Sequence, residues 1–416
     1  MDTESIHLMI SNMTFRETPL RVHFLRNNLL DATVERIFIV LYVIISTIGV
    51  VFNVSVAATI LLARGLQNCE YRLVLNLCTT DLLFCTVGLP FTLVQILRRN
   101  WIFGSLLCHI VPAVQAAIIF VISLTTISIA FERAARITGR YSSKGQRPSA
   151  LHRRKVSLLW LLAFLLAAPL AYFNEEGNFR FEDSILYRRC METWPEGVRL
   201  TYSVSFFLLS LVLPSICLLL SHLRVLRFLS KKTGAESSIR KIQYRGKNET
   251  VIVQKSSSCQ SGRNHRAILS LRRILLAYII SWAPLNFINL YLDLTNGEGL
   301  SSRLIYSLLA LSHLIAATSA TSNAILYGLL NTNIKRELIN FKYKFVSNPN
   351  SRPSSSAQSM WYLLVVDLLQ PLLDIYRCHP HSHQSYDSFM GGDDFSVPSE
   401  SRRWFATQSK GLLCFP

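Results

Sequence analysis

The chain has 416 residues, of which 50% are apolar and only 16% are charged. A soluble protein of this length needs more polar surface than that composition provides. The formal net charge of +18 would suit a nucleic-acid-binding protein, but no nucleic-acid-binding motif accompanies the basic residues. We therefore expect a membrane protein with no nucleic-acid partner.

Seven apolar stretches follow one another along the chain. Six contain no Asp, Glu, Lys or Arg, and the second contains only Asp81. Each approaches the roughly 17–25 residues that an α-helix needs to cross a bilayer. We therefore predict an all-α membrane protein, a seven-transmembrane helix bundle. The stretches are Ile37–Leu62, Leu73–Leu97, Cys108–Phe131, Val156–Phe173, Leu200–Leu223, Ile274–Leu292 and Leu304–Leu330.

Loop charges predict the orientation of this bundle. Residues 134–155 contain seven Lys or Arg and no acid, whereas residues 174–189 contain four acids. By the positive-inside rule the first loop is cytosolic and the second is extracellular. No apolar signal sequence precedes the first stretch, so we expect that stretch to act as a signal anchor. This predicts a plasma-membrane protein with an extracellular tail at 1–35, a bundle at 36–331 and a cytoplasmic C-terminus.

The segment after the bundle is predicted to have two parts. At 332–346, Ile334, Leu338 and Phe341 alternate with Lys and Arg, which predicts an amphipathic helix on the inner leaflet, in contact with membrane lipid. The remainder, 347–416, is predicted to be disordered. Its serine-rich run at 351–359 is expected to be phosphorylated and to bind arrestin.

Two extracellular modifications are predicted. Of the nine cysteines, only Cys108 and Cys190 are expected on the oxidising side of the membrane, so we predict a disulfide between them. Asn12 begins an Asn-Met-Thr triplet in the extracellular tail. This is an acceptor motif for N-glycosylation, and we expect Asn12 to carry a glycan.

Ionisable and amide side chains inside the spans are the first candidates for function, because a buried charge needs partners. Asp81, Asn53 and Asn323 are expected at similar depth, either as a polar cluster that rearranges between two states or as inert hydrogen bonds between helices. Glu132 and Arg133 lie together at the inner end of the third span. They form either a pair that holds itself closed until Arg133 meets a cytosolic partner, or ordinary flanking charges.

The order of these and other landmarks resembles the rhodopsin-like class of G protein-coupled receptors, over Ile37–Phe345. The resemblance implies a receptor that activates heterotrimeric G proteins when its ligand shifts Trp282 and the sixth helix swings about Pro284, exposing Arg133. It implies neither an enzyme nor a cofactor or metal, and the residues show no catalytic constellation. The landmarks are Asn53, Asp81, Cys108, Glu132-Arg133-Ala134, Trp160, Pro214, Ser281-Trp282-Ala283-Pro284 and Asn323-Ala324-Ile325-Leu326-Tyr327.

Within that class, four local strings are most similar to receptors for neuropeptide Y and neuropeptide F. They are Leu89-Pro90-Phe91-Thr92, Trp101-Ile102-Phe103-Gly104, Cys190-Met191-Glu192-Thr193-Trp194-Pro195, and Asn289 with Asp293. This resemblance implies a peptide ligand that ends in Arg followed by an amidated aromatic residue, and a G protein of the inhibitory type.

The same resemblance implies roles for seven residues around an acidic cavity mouth. Asp293 would pair the ligand guanidinium, although an ordinary solvated acid is the alternative. Gln115 and Asn289 would meet the terminal amide of the peptide. The cavity is expected to be lined also by His313, Thr92, Gln95 and Trp282.

Four positions depart from the class pattern: Ala134, Ala324, His222 and Ile122. Ala324 stands where the class has a proline, so we expect a straighter seventh helix, and Ile122 removes a hydroxyl that would help Asp81 to hold sodium. Two alternative functions remain, a receptor for another class of peptide and a multispan transporter. A transporter predicts inverted repeats, and none is visible in the sequence.

Overall fold

The fold is described from a computed structural model of the chain. It describes residues 30–63, 66, 69–98, 101–139, 149–181, 184–195, 197–243, 254–295, 300–329 and 331–347. The predicted glycosylation site Asn12 and the serine-rich tail lie outside these residues, and both stay predictions.

In this part of the chain, seven helical spans are long and apolar enough to cross a membrane. Six of them contain a predicted stretch whole, and the seventh ends at Gly328, two residues before the predicted end at Leu330. This confirms the predicted fold class. In the order in which we number them, the spans are Ala32–Leu62, Glu70–Leu97, Gly104–Ile137, Arg153–Phe173, Val198–Lys232, Ile268–Thr295 and Arg303–Gly328.

Among the described residues, the spans are built from nine α-helices, and one further helix and one hairpin accompany them. Short π-helical turns at Phe84–Gly88, Leu208–Val212 and Ala324–Leu329 interrupt the second and fifth spans and end the seventh. The elements are α1 (Ala32–Leu62), α2 (Cys69–Leu83), α3 (Leu89–Leu97), α4 (Gly104–Ile137), α5 (Ser149–Phe173), β1 (Asn174–Phe181), β2 (Ser184–Glu192), α6 (Val198–Phe207), α7 (Leu213–Gln243), α8 (Gln254–Thr295), α9 (Ser302–Asn323) and α10 (Thr332–Ser347).

Large apolar side chains cover the outside of the bundle. Leu161 is 56% exposed, Leu165 63% and Ile280 65%. Apolar surface on this scale would favour aggregation in water but is matched by lipid chains. Small residues face inward instead, and the buried Ala117 and Ala163 let the third and fourth spans pack closely. The chain is therefore a multi-pass membrane protein.

The π-helical turn in the fifth span follows from Pro214. A proline has no N–H, so the carbonyl four residues earlier, that of Ser210, loses its helical donor. Here the Ser210 carbonyl accepts instead from Tyr278 Oη at 2.5 Å and from Ser123 Oγ at 3.4 Å. The backbone defect thus supplies an acceptor that links the fifth span to the third and sixth.

The seventh span differs from the expectation drawn from Ala324. Instead of continuing as a regular α-helix, Ala324–Leu329 forms a π-helical turn without a proline. Packing gives a reason: a Cβ on Gly328 would lie 2.4 Å from Val56 Cγ2, so the backbone approaches the first span as closely as a glycine allows. Tertiary contact here overrides the local helix preference.

An antiparallel hairpin of β1 and β2 covers one end of the bundle. A disulfide joins Cys190 in β2 to Cys108 at the start of the third span, as predicted. Two backbone bonds add to this attachment: the Trp101 N–H donates to the Arg188 carbonyl at 2.8 Å, and the Thr193 N–H donates to the Phe173 carbonyl at 2.7 Å. We call this the hairpin end and the opposite end, where Arg133 lies, the Arg133 end.

Helix α10 follows the seventh span at the Arg133 end. Its apolar side chains Ile334 and Leu338 are buried, whereas Arg336 is exposed. Asn333 Nδ2 donates to the Tyr71 hydroxyl of the second span at 2.8 Å. The helix is therefore held against the bundle by one face.

Candidate functional site

A cavity of about 810 Å³ lies at the hairpin end. Six of the seven residues predicted to line it do so: Thr92, Gln95, Gln115, Asn289, Asp293 and His313. The seventh, Trp282, is not among the lining residues. It is 1% exposed and packs beside Phe84, with ring centroids 6.0 Å apart, and Phe84 itself contributes to the cavity wall.

Gln115 is fixed by the second span. Its Nε2 donates to the Gly88 carbonyl at 3.0 Å and to Thr92 Oγ1 at 3.0 Å. Thr92 in turn donates to the same Gly88 carbonyl at 2.9 Å, next to the π-helical turn at Phe84–Gly88. Both amide protons of Gln115 are thereby engaged, which leaves its carbonyl oxygen to accept a hydrogen bond within the cavity.

Asp293 is already paired with a guanidinium of the chain itself. Arg199, at the start of α6, donates to Asp293 Oδ1 from Nε at 2.9 Å and from Nη2 at 2.6 Å. Ser203, one turn along α6, donates to the other carboxylate oxygen at 2.5 Å. The Asp293 side chain is 20% exposed and the Arg199 side chain 40%. The pair therefore joins the fifth and sixth spans at a water-accessible position.

A second carboxylate, Glu192 of β2, lines the same cavity. It accepts a hydrogen bond from Trp194 Nε1 at 2.6 Å. The carboxylate reaches solvent through the cavity, yet the surrounding protein atoms desolvate it and raise the pKa of Glu192 above its ordinary value. The Trp194 hydrogen bond lowers the pKa, the neighbouring Asp293 charge raises it, and Arg199 lowers it.

The cavity is not the acidic mouth that the sequence predicted. Its wall contains three guanidinium groups, Arg98, Arg189 and Arg199, against two carboxylates, Glu192 and Asp293. Arg98 also pairs with Glu35 of the first span at 3.1 Å, and Arg189 donates to the Tyr306 hydroxyl at 2.6 Å. The prediction considered the acids of this region and left out the arginines of β2 and α6.

The polar residues predicted in mid-membrane meet in part. Asn323 Nδ2 donates to both carboxylate oxygens of Asp81, at 3.2 and 3.4 Å, and both residues are buried. Asn53 donates instead to the carbonyls of Gly49 and Ala320, at 2.9 and 3.0 Å. Asp81 thus ties the second span to the seventh, while Asn53 ties the first to the seventh.

The predicted closing pair of Glu132 and Arg133 is not formed. Arg133 Nε donates instead to Glu70 Oε1 of the second span at 2.7 Å, and Glu132 accepts from Lys155 Nζ of the fourth span at 2.8 Å. The physical reason is helix geometry: adjacent residues on an α-helix point in different directions, so their side chains do not face each other.

Arg133 makes two further contacts at its end of the bundle. Its guanidinium carbon lies 5.3 Å from the centroid of the Tyr327 ring, a cation–π contact with the seventh span. Its Nη1 donates to Ser270 Oγ of the sixth span at 3.4 Å. One guanidinium therefore contacts the second, sixth and seventh spans from its position on the third.

Residues 52–327 match the family described as "7 transmembrane receptor (rhodopsin family)". The chain belongs to this family. The receptor is 29% identical to the neuropeptide F receptor of Drosophila melanogaster over 331 residues, 76% of its own length and 64% of the fly protein. It is 29% identical to the neuropeptide Y receptor type 6 of Oryctolagus cuniculus over 313 residues, 73% of its own length and 79% of the rabbit protein. Against the human neuropeptide Y receptor type 2, identity is 27% over 320 residues, with 75% and 78% coverage.

Three residues that depart from the class pattern, Ala134, Ile122 and His222, are wholly or partly buried in the bundle. Ala134 is 1% exposed and packs with Val225, Leu229 and Leu271, so a small side chain at this position lets the third, fifth and sixth spans meet. Ile122 is fully buried. His222 has its Nδ1 buried, with no hydrogen-bond partner among the described residues.

Three residues with charged contacts in the receptor, Glu70, Arg199 and Glu192, were not singled out from the sequence. Two of them stand against the expected distribution of flanking charges. In the predicted orientation, Glu70 is an acid at the cytosolic end of a span, and Arg199 is a base at the extracellular end of one. Charges that oppose the positive-inside pattern were the signal that could have found them.

Proposed function

We propose that this receptor lies in the plasma membrane with its hairpin end outside, and that it binds an amidated neuropeptide ending in Arg and an aromatic residue. It passes the signal to a heterotrimeric G protein of the inhibitory type at the Arg133 end. Support comes from the names of the relatives and above all from one observation: Gln115, Asn289 and the Asp293 carboxylate line a single cavity at the end where the disulfide lies.

Asp293 is suited to a guanidinium because it already holds one. Arg199 donates two N–H groups to one carboxylate oxygen, Oδ1, while Ser203 donates to the other, so the carboxylate is already placed to accept a guanidinium. The Arg199 side chain is 40% exposed, and solvent screens such a pair, so exchange of Arg199 for a ligand arginine costs less than breaking a buried pair. Glu192 supplies a second carboxylate that helps to hold the incoming cation.

The amidated end of the peptide fits the part of the cavity wall that Gln115 forms. A primary amide offers two N–H donors, and the Gln115 carbonyl oxygen is an acceptor with a fixed position. A free carboxylate at the same position would bring two acceptor oxygens toward that carbonyl and would be rejected. The cavity thereby gives a physical reason for selecting an amidated C-terminus.

At the other end, activation would separate the contacts that Arg133 makes with the second and sixth spans. A ligand shifts that equilibrium only by its difference in affinity for the two states. The released guanidinium and the opened space between the third and sixth spans then receive the G protein. Phosphorylation of the serine-rich tail at 351–359 would afterwards bring arrestin.

The test is a peptide panel on cells that express the full chain. G-protein activation is measured for amidated peptides with a penultimate Arg, the same peptides with Gln at that position, and the same peptides with a free C-terminal carboxyl. We expect activation only by the amidated, Arg-bearing peptides. The Asp293→Ala variant should lose about tenfold or more in potency for them.

A matched control variant is Glu175→Ala, since Glu175 is an exposed acid of the hairpin that does not line the cavity. It should respond like the wild type. Equal responses to Arg-bearing and Gln-bearing peptides would contradict the assignment of Asp293, and equal responses to amide and free acid would contradict that of Gln115.

A further inference from the structure

Glu70 is a buried acid in the first turn of α2, at the Arg133 end. Its side chain is 7% exposed, and each of its carboxylate oxygens faces a different arginine of the third span. Oε1 accepts from Arg133 Nε at 2.7 Å, and Oε2 pairs with Arg136 Nη1. The N-terminal position on α2 also favours a negative charge through the helix dipole.

The Arg133 side chain is nearly as buried, at 13% exposed. A guanidinium stays charged in proteins, so one in this position requires a carboxylate partner. Among the described residues, the ion-pair partner of Arg133 is Glu70 rather than the adjacent Glu132. Removing Glu70 would therefore leave a buried, uncompensated positive charge.

The Glu70 contact also determines what else Arg133 can reach. With Nε held by the second span, Nη1 donates to Ser270 of the sixth span, and the guanidinium lies over the Tyr327 ring. The apolar cluster of Ala134, Val225, Leu229 and Leu271 closes the third, fifth and sixth spans beside it. The arrangement is that of a closed Arg133 end.

We propose that Glu70 is the positioning residue that holds Arg133 in this closed arrangement, as the latch of the inactive receptor. The role of Arg133 as the group released on activation rests on the proposed function. Glu132 instead serves the neighbouring contact with Lys155, which joins the third span to the fourth. The acid that controls Arg133 is therefore 63 residues away in the sequence, on another helix.

The test compares Glu70→Gln with Lys155→Gln in the full chain. Glu70→Gln breaks the pairs with Arg133, of 2.7 Å, and with Arg136, whereas Lys155→Gln breaks the 2.8 Å pair with Glu132 and leaves the Arg133 pair in place. Two readouts are taken at matched surface expression: ligand-independent G-protein activation in cells, and hydrogen–deuterium exchange of residues 268–276 of α8 in the purified protein. Exchange requires neither a ligand nor a G protein.

For Glu70→Gln we expect about a tenfold rise in ligand-independent activation and faster exchange over residues 268–276. Glu70→Asp keeps the charge on a shorter side chain, so it should give an intermediate result and serve in place of Glu70→Gln if the latter fails to fold. Lys155→Gln should leave both readouts at the wild-type level.

Three other results would count against the latch or against the proposed function. Wild-type exchange and wild-type basal activity in Glu70→Gln would overturn the latch. An equal rise in Lys155→Gln would also overturn it, because it would show general loosening instead of release of Arg133. Faster exchange in Glu70→Gln alone, without activation of any G protein, would support the latch and count against the proposed function.

Discussion

The two ends of the bundle each contain a guanidinium–carboxylate pair between helices, yet the pairs differ in burial. Arg199 and Asp293 lie in a cavity, with side chains 40% and 20% exposed, while Arg133 and Glu70 are 13% and 7% exposed. Exposed pairs contribute about 0–1 kcal/mol, whereas removing one partner of a buried pair costs about 3–5 kcal/mol. The first pair is therefore suited to the proposed exchange with a ligand arginine, and the second is suited to holding a conformation.

The surroundings of the two pairs show the same contrast, with an accessible hairpin end and a closely packed Arg133 end. The hairpin end is covered by a two-stranded hairpin that is attached by one disulfide, two backbone bonds, the Arg189–Tyr306 hydrogen bond and the packing of Cys190 against Trp101 and Val111. The Arg133 end is closed by apolar packing of the third, fifth and sixth spans. Substitutions at the hairpin end should consequently alter recognition, and substitutions at the Arg133 end should alter the balance between states.

The largest expected effect comes from the disulfide. Cys190→Ser removes the covalent attachment of the hairpin to the third span, and loss of a native disulfide typically costs about 2–5 kcal/mol. We expect most peptide binding and most surface receptor to be lost, measured by radioligand saturation and by surface labelling. Cys217→Ser, which alters a free thiol of the fifth span, is the control and should behave like the wild type.

The same variant also tests whether the two ends of the bundle respond independently. In the Cys190→Ser protein that does reach the surface, hydrogen exchange of residues 268–276 should stay at the wild-type rate. Faster exchange there would mean that the hairpin stabilises the whole bundle, and the distinction between the ends would fail.

The next largest expected effect is a difference in stability between two variants that each add one methyl group, Gly328→Ala at the Arg133 end and Gly177→Ala at the hairpin end. A Cβ on Gly328 would lie 2.4 Å from Val56 Cγ2, a stiff β-branched side chain, so Gly328→Ala should destabilise the receptor by about 1–3 kcal/mol. A Cβ on Gly177 in the hairpin would lie 2.5 Å from Met191 Cε, the end of a flexible side chain that can move away. Gly177→Ala should therefore be nearly neutral.

Thermal unfolding in detergent, followed by size-exclusion chromatography, measures both variants. Val56→Ala in the Gly328→Ala background should recover part of the lost stability, since it removes the atoms that clash. Equal melting temperatures for Gly177→Ala and Gly328→Ala would show that the two ends tolerate an added methyl group equally, and would contradict the expected difference in packing.

A structural feature can be predicted from the sequence when residues close together in the chain determine it. It cannot when it depends on contacts between residues far apart in the chain. The seven spans follow from local apolar length, and the disulfide follows from which cysteines share a side of the membrane. The partner of Arg133 lies 63 residues away and that of Asp293 lies 94 residues away, so neither pairing could be assigned without knowledge of the helix packing. The π-helical turn at Ala324 likewise depends on contact between the first and seventh spans.

A smaller effect tests whether the Arg199–Asp293 pair is exchangeable. Arg199→Ala removes the internal competitor for the carboxylate, so affinity for an Arg-bearing amidated peptide should rise by about two- to tenfold. Competition binding measures it. Arg303→Ala is the control, because Arg303 forms an exposed pair with Asp31 at 3.6 Å and does not line the cavity. A fall in affinity for Arg199→Ala would show that Arg199 contacts the ligand instead.

The smallest effect is a pH dependence that originates in Glu192. Because its pKa is raised above the ordinary value of 4.5, this carboxyl takes up a proton at a higher pH than a solvated glutamate does. A bound guanidinium favours the ionised form, so affinity for the Arg-bearing peptide should fall as the pH falls through the raised pKa and stay level above it. Competition binding measured from neutral pH downward should show a few-fold loss as Glu192 takes up its proton.

The origin of that loss can be separated from other titratable groups of the cavity, since Glu192→Gln keeps both Asp293 and His313. If Glu192 is the source, Glu192→Gln has lower affinity at neutral pH and no further loss on acidification, while the exposed Glu175→Gln keeps the wild-type slope. An unchanged slope in Glu192→Gln would remove Glu192 from ligand recognition and leave Asp293 as the single carboxylate through which the cavity distinguishes a cationic peptide.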